Sequence, residues 1–267
     1  LSDYLTVCGH TVTTFDIKKS YDEDLRSNNS EKLTKVISEN DFCFFLAFDV
    51  GGSKYLNLNQ NSYAFIDNNL RIMSNVFTLL NKFKKPFVFA SSQMSTMMHS
   101  NYGLLKLIGE RATESLNGLS VSFWNIYGNE TDENKFHVIT DFIRMAHINK
   151  EIKMQTNGEE IRDFLYVKDC SKALNSILEN YENLILKKNI HVASFKWVKI
   201  IEVAKIISTL SGAKIIPSPK SDNIQNGQFR EPDPYILSFW QPKVNLSEGI
   251  LQIYSSYLGK TDSGSKF

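Results

Sequence analysis

The chain has 267 residues, 42% hydrophobic and 12% aromatic, enough for one large α/β unit or two intimately joined subdomains with a full core. Thirty basic against 29 acidic residues leave a formal net charge of +1, which argues against nucleic-acid binding by bulk charge. The longest apolar runs, such as Phe42 to Phe48, fall far short of the roughly 20 residues a membrane span needs. Three widely separated cysteines (Cys8, Cys43, Cys170) lack metal-ligand spacing, and no signal peptide is read at the N-terminus. The expectation is a soluble, cytoplasmic protein of a reducing compartment, with no membrane, nucleic-acid or metal partner.

In chain order, Leu1 to Cys8 reads as the end of an amphipathic helix, stopped by Gly9. Thr11 to Ile17 is β-branched and reads as a strand ending in Asp16. That carboxylate either caps a loop or accepts from both hydroxyls of an adenosine ribose. A short helix (31–39) precedes Asp41 to Phe48, a near-continuous apolar run suited to a parallel sheet. The strand opens into a flexible loop at Gly51-Gly52. A long helix (Tyr63 to Lys82), a strand (Pro86 to Ser92), a helix carrying Tyr102 and Lys106, and a strand (Leu119 to Gly128) follow. This alternation predicts a Rossmann-like doubly wound parallel sheet. From Asn129 the texture changes, which places a boundary near residue 128. The remainder reads as helix, a strand–turn–strand centred on Asn157-Gly158, helix, the short strand Asn189–Ser194, helix to Gly212, an irregular stretch (220–234) and a final helix with a polar, frayed tail. Without an obvious linker, the two parts interleave.

The chemistry centres on the stretch from Lys85 to Glu110. Tyr102 and Lys106 are four apart, so on a helix they share a face, and an ammonium beneath a phenol favours its ionised form. A hydroxyl from Ser92, at the end of the preceding strand, can reach the same substrate oxygen. Ser92, Tyr102 and Lys106 thus form a candidate acid/base triad for making or reducing a carbonyl.

Six blocks stand in a familiar order: FFLAF (Phe44 to Phe48), FVFASS before the catalytic helix, YGLLK, FWNIYG (Phe123 to Gly128), IRDFLYVKD (Ile161 to Asp169) and FWQPKVNLSEGI (Phe239 to Ile250). On these the chain resembles, over nearly its whole length, the extended short-chain dehydrogenase/reductases. The likeness is to the NAD-dependent nucleotide-sugar epimerase/dehydratase group. The resemblance implies NAD as cofactor and a nucleotide-diphosphate sugar as substrate. It also implies an NAD-binding part (1–128) and a smaller nucleotide-sugar-binding α/β part (129–267), with about 165–193 returning to the first sheet. Tyr102 would carry the proton, Lys106 would hold the nicotinamide ribose, and Ser92 would bind the hydroxyl that becomes a ketone. Asp16, with Ile17 beside it, would hold the adenosine ribose. Leu46, Ala47, Phe48, Ala90 and Ser91 would pass along the cofactor, with Asn69 and Phe123 on its side of the site. Asn125 and His137 would contact the sugar-diphosphate, and Arg162 and Arg230 would clamp the diphosphate with guanidinium forks. Taken by themselves, Arg162 beside Asp163 also reads as a structural ion pair, and Arg230 as a solvated surface charge. Relatives are commonly dimers on a four-helix interface, here Tyr63–Lys82 with Tyr102–Leu116.

Four departures qualify the likeness. No glycine-rich loop or first strand precedes the first helix, which implies a chain that begins inside that helix, roughly 15 residues into a longer protein. The segment from Ser92 to Tyr102 is short and reshapes the sugar pocket. Gln93 and Met94 stand where dehydratases carry an Asp-Glu pair, which disfavours elimination of water. Ser122 replaces a customary arginine. The expected activity is epimerisation at a sugar carbinol, C4 in the group's chemistry. The alternatives are reduction of a 4-keto sugar, where Lys18 and Lys19 bear on NADP, and a non-catalytic binding subunit.

Overall fold

A computed structural model describes residues 1–27, 30–222 and 230–262. In chain order the elements begin with helices α1 (Ser2–Val7) and α2 (Glu31–Glu39), strand β1 (Cys43–Phe45), and helices α3 (Ser53–Asn59) and α4 (Tyr63–Phe83). Strand β2 (Phe87–Ser92), helix α5 (Asn101–Ser115) and strands β3 (Leu119–Phe123) and β4 (Asn125–Tyr127) follow. Next come α6 (Val138–Asn149), β5 (Glu151–Lys153), β6 (Ile161–Tyr166), α7 (Val167–Glu179), α8 (Tyr181–Leu184), β7 (Asn189–Val192) and β8 (Trp197–Lys199). Helix α9 (Ile200–Ser211), β9 (Lys214–Ile216) and α10 (Leu246–Asp262) complete the set.

The main sheet is parallel, in the order β1-β2-β3-β7. Its strands are buried on both faces, and alternation along them decides which side chain meets which layer. Phe45, Phe87 and Phe89 pack against α2, α4 and α5, whereas Val88, Leu119, Val121 and Ile190 pack against α7 and α8. Helices therefore cover both faces, giving a Rossmann-like doubly wound sheet. Serine hydroxyls start three of the helices: Ser30, Ser62 and Ser100 accept from the backbone N–H three residues on. A second core joins α6, α9 and α10 to β4 and β6 in a smaller C-terminal α/β part. No helix of the described residues is long and apolar enough to cross a membrane.

Several expectations from the sequence change. Thr11 to Ile17 forms no strand: its β-branched residues favour an extended backbone, but no described strand lies alongside to exchange ladder hydrogen bonds. The expected strand Leu119 to Gly128 breaks at Trp124, with β3 pairing β2 and β7 while β4 pairs β6. The turn at Asn157-Gly158 makes no hairpin, because β5 pairs with β9 and β6 with β4 and β8. The apolar run from Asp41 keeps only Cys43–Phe45 in the ladder, and α3 and β8 were not read from the sequence. Of the irregular stretch and the tail, residues 223–229 and 263–267 lie outside the described residues.

The approach of α5 to β2 positions everything that follows, and two glycines allow it. A Cβ at Gly103 would lie 2.3 Å from the Met94 carbonyl oxygen, and one at Gly109 would lie 2.3 Å from the Phe89 ring. Phe89 is fully buried and has nowhere to go. Gly109→Ala is therefore expected to cost about 1–3 kcal/mol of stability in urea denaturation, as overpacking does. An unchanged midpoint would show that helix and strand are not in such close contact.

Candidate active site

Strand β2 delivers Ser92 at its carboxyl end, and the chain makes one tight 3-10 turn (Gln93–Thr96) before α5 begins. That short connection, pressed onto Gly103, sets Tyr102 in the first turn of α5 against Ser92. The Ser92 hydroxyl stands close enough to the Tyr102 phenol to favour its ionised form, and Ser92 Oγ accepts from the Met94 N–H at 3.2 Å. One turn on, the fully buried Lys106 donates from Nζ to the Ala90 carbonyl oxygen at 2.6 Å. The three residues named for the chemistry thus stand together at the mouth of the parallel sheet, beyond the carboxyl ends of its strands.

Burial dominates their ionisation. It pushes the Tyr102 phenol up to about 12, opposed by the Ser92 hydrogen bond. It pushes the Lys106 ammonium down to about 7, opposed by the negative charge of Glu110 one turn further along α5. Glu110 anchors a polar group behind the triad. Its Oε1 accepts from Ser91 Oγ at 2.5 Å and from Asn189 Nδ2 at 3.4 Å, while Ser122 Oγ donates to Asn189 Oδ1 at 3.0 Å. Ser122, anomalous in the sequence, is thereby tied to β7.

The triad opens into a cleft of about 1000 Å³. Leu46, Phe48, Ala90, Ser91 and Phe123 line it beside Ser92, Tyr102 and Lys106; Asn125, His137 and Arg162 line it from the C-terminal part. Gln93 and Met94 also border it, and neither side chain carries an ionisable proton. Asp16, Ile17, Ala47, Asn69 and Arg230 are not among the lining residues. Asp16 is exposed, and its Oδ1 accepts from the Lys18 N–H in its own turn. Asn69 is buried and holds the main chain: it accepts from the Asp49 N–H at 2.7 Å and donates to the Asp49 carbonyl at 3.2 Å. Arg162 is ion-paired with Asp222 and donates to the Ile161 carbonyl at 2.7 Å. Asp163 instead accepts the backbone N–H groups of Ser194 and Lys196, so no Arg162–Asp163 pair forms. Asn125 Nδ2 donates to the Asp163 carbonyl at 3.0 Å, and His137 Nδ1 lies 2.5 Å from Glu130 Oε1.

Arg230 Nη2 lies 3.2 Å from His191 Nε2, while the Asp233 N–H donates to His191 Nδ1 at 3.0 Å. Burial first, then the charge of Arg230, push the His191 pKa down to about 4, so the ring is neutral at pH 7. A neutral imidazole accepts at one nitrogen only, so the ring cannot satisfy both donors.

Sequence reasoning passed over the roof of the cleft. The Asp49 carboxylate, directly after Phe48, accepts from Tyr55 Oη (2.6 Å), Lys135 Nζ (2.9 Å) and Asn68 Nδ2 (3.1 Å). Burial raises its pKa, but these bonds outweigh burial and hold it below the usual carboxylate range. Gly52 donates its N–H to the Lys135 carbonyl, and a Cβ there would lie 2.2 Å from the Phe136 carbonyl oxygen. The Gly51-Gly52 stretch is therefore a buried crossing point rather than a flexible loop. The signal in the sequence was the glycine pair itself, which permits close backbone approach.

For NAD, implied by the resemblance, the cleft offers volume, hydroxyls and a buried ammonium with one hydrogen-bond acceptor. These residues fit a ribose and a nicotinamide end, save that the Phe48 ring covers the ammonium, its centroid 3.6 Å from Lys106 Nζ. Among the described residues no group of three or more His, Cys, Asp or Glu could hold a metal ion.

The sequence model of the NAD dependent epimerase/dehydratase family matches residues 1–193. A GDP-L-fucose synthase of Sinorhizobium fredii is 28% identical over 173 residues, 59% of this chain and 54% of that protein. The chain spans about half the length of the first curated relatives it matches. A GDP-6-OMe-4-keto-L-xylo-heptose reductase from C. jejuni superposes with a TM-score of 0.76 at 17% identity, covering 89% of this chain and 88% of that one. A UDP-glucuronic acid 4-epimerase from Bacillus cereus, solved with UDP-glucuronic acid and NAD, gives 0.74 at 18% identity, covering 89% and 80%. At these identities the two structures establish the fold.

The depressed Lys106 pKa carries a stability consequence. Between about 7 and the usual lysine value of 10.5, the unfolded chain binds a proton that the folded chain does not. Stability from this group therefore rises as pH rises through that window, by at most about 5 kcal/mol. Urea unfolding between pH 7 and 10 is expected to show this rise in the wild type and a smaller one in Lys106→Met.

Proposed function

The chain belongs to the NAD dependent epimerase/dehydratase family, matched over residues 1–193, and on that premise we propose that it is an NAD-dependent nucleotide-sugar epimerase. The observation that carries this reading is the grouping of Ser92, Tyr102 and buried Lys106 in the wall of one cleft of about 1000 Å³. That volume accommodates both a dinucleotide end and a sugar able to turn over.

In this reading NAD, when bound, supplies a reversible hydride acceptor. Tyr102 takes the proton from a sugar hydroxyl, at C4 by the family's chemistry, and returns it after the ring has turned. Ser92 hydrogen-bonds the same oxygen and stabilises the charge that develops on it. Lys106, while protonated, favours the Tyr102 phenolate through its positive charge and offers N–H donors to ribose hydroxyls. Arg162, together with Arg230 beside His191, holds the diphosphate as a pivot. Asn125 and His137 contact the sugar-diphosphate. Asp16 and Ile17 serve the adenosine ribose, and Leu46, Ala47, Ala90, Ser91 and Phe123 follow the cofactor, as the Phe48 backbone does once its ring has left Lys106. Asn69 serves it at one remove, by holding Asp49. Gln93 and Met94 supply no proton-transferring pair, which weighs against dehydration. A dimer would use α4 and α5, whose exposed faces carry Tyr63, Leu70 and Ile108.

One observation favours a second reading, reduction of a keto sugar. A Tyr102 phenol pushed up to about 12 suits a proton donor better than an acceptor, and the C. jejuni reductase has the same fold. The deciding experiment incubates a panel of nucleotide sugars with NAD and follows product stereochemistry. Isomers formed without net NADH support the epimerase; stoichiometric NAD(P)H consumption with a 4-keto sugar makes the protein a reductase. In either case Tyr102→Phe is expected to lower turnover by about 10²–10⁴-fold while leaving NAD affinity nearly unchanged. An active variant would remove Tyr102 from the chemistry.

A further inference from the structure

The ring of Phe48 rests directly on the buried end of the candidate triad. Its centroid is 3.6 Å from Lys106 Nζ, and it meets Tyr102 edge-on at a centroid distance of 5.8 Å and an interplanar angle of 78°. An ammonium held this close to a ring face is attracted by the ring quadrupole, and more strongly where water is excluded. A hydroxyl that hydrogen-bonds the same nitrogen must come within about 2.7–3.0 Å of it. Ala90 already accepts on one side of the ammonium. A ring in contact on another side and a pair of ribose hydroxyls cannot share the remaining space.

The backbone beneath Phe48 is not free to carry the ring away. Phe45, three residues earlier, is in the ladder with Phe89. Asp49, the next residue, is gripped by Asn69 at both its N–H and its carbonyl, and by Tyr55, Lys135 and Asn68 at its carboxylate. The main chain is thus held on both sides of a half-buried side chain, so the ring leaves by rotating about its own bonds.

We infer that Phe48 is a side-chain cap on Lys106 that competes with the cofactor's nicotinamide ribose, and that NAD enters the site only as this ring swings out. The inference rests on the NAD reading above and deepens it. Phe48 thereby sets cofactor affinity from inside the cleft, and Asn69 and Asp49 act as the fixed mount on which the ring turns.

The test uses the whole chain as wild type, Phe48→Ala and Phe48→Leu. NAD affinity is measured by calorimetry, and acylation of Lys106 by acetic anhydride is followed by peptide mass spectrometry without cofactor. Removing the cap is expected to tighten NAD binding by about thirtyfold in Phe48→Ala, the scale of a desolvated cation–π contact. Lys106 should acylate faster in Phe48→Ala than in wild type, with Phe48→Leu between them. The leucine variant keeps most of the packing and reads the same trend if the alanine variant does not fold. NAD affinity unchanged or weaker in the variants, with wild type binding, overturns the inference and leaves the NAD reading standing. Absence of NAD binding in every variant removes that reading and the competition with it, whatever the acylation rates.

Discussion

A lysine ammonium out of reach of water is expensive to hold, and the geometry around Lys106 follows from meeting that expense. The nitrogen needs an acceptor, found in the Ala90 carbonyl at the end of β2. Reaching it requires α5 to lie almost on the strand at Gly109 and on the turn after it at Gly103, where only hydrogens fit. The same contact shortens the route from Ser92 to Tyr102 to a single tight turn, so the three hydroxyl- and nitrogen-bearing side chains converge without a long loop. Behind them, the carboxylate of Glu110 offsets part of the burial and is itself fixed by Ser91 and Asn189. Helix packing, strand register and the ionisation of the site are here one problem with one solution.

Much of the fold could be read from local signals. Buried strands announced themselves as apolar runs, helices as periodic stripes with glycine stops, and the Y-x-x-x-K spacing put Tyr102 and Lys106 on one helix face. What escaped were the properties that depend on distant partners. Whether Thr11 to Ile17 is a strand depends on a neighbour, not on its own β-branched residues. Leu119 to Gly128 looks continuous in sequence, yet its two parts pair in different sheets across Trp124.

The site divides the same way. Ser92, Tyr102 and Lys106 lie within one local unit, and their convergence was legible. Asp49 takes its partners from α3, α4 and the segment before α6, and Lys135 lies 86 residues away. Arg162 finds its carboxylate 60 residues on, at Asp222, rather than next door at Asp163. No pattern in a single sequence specifies such pairs. Gly51-Gly52 stands between the two cases: the glycines were visible, but the Phe136 carbonyl they make room for was not.

The crossing of Gly52 over the Phe136 carbonyl bears on how the protein spends its conformational freedom. With Lys135 tied to Asp49 and Lys54 to Asp141, the two walls of the cleft are joined by backbone contact and by charge before any ligand arrives. A clamshell enzyme draws on ligand binding energy to shut its halves at every cycle; here that ordering is settled once, when the chain folds. The walls form a preassembled frame, joined before a ligand enters.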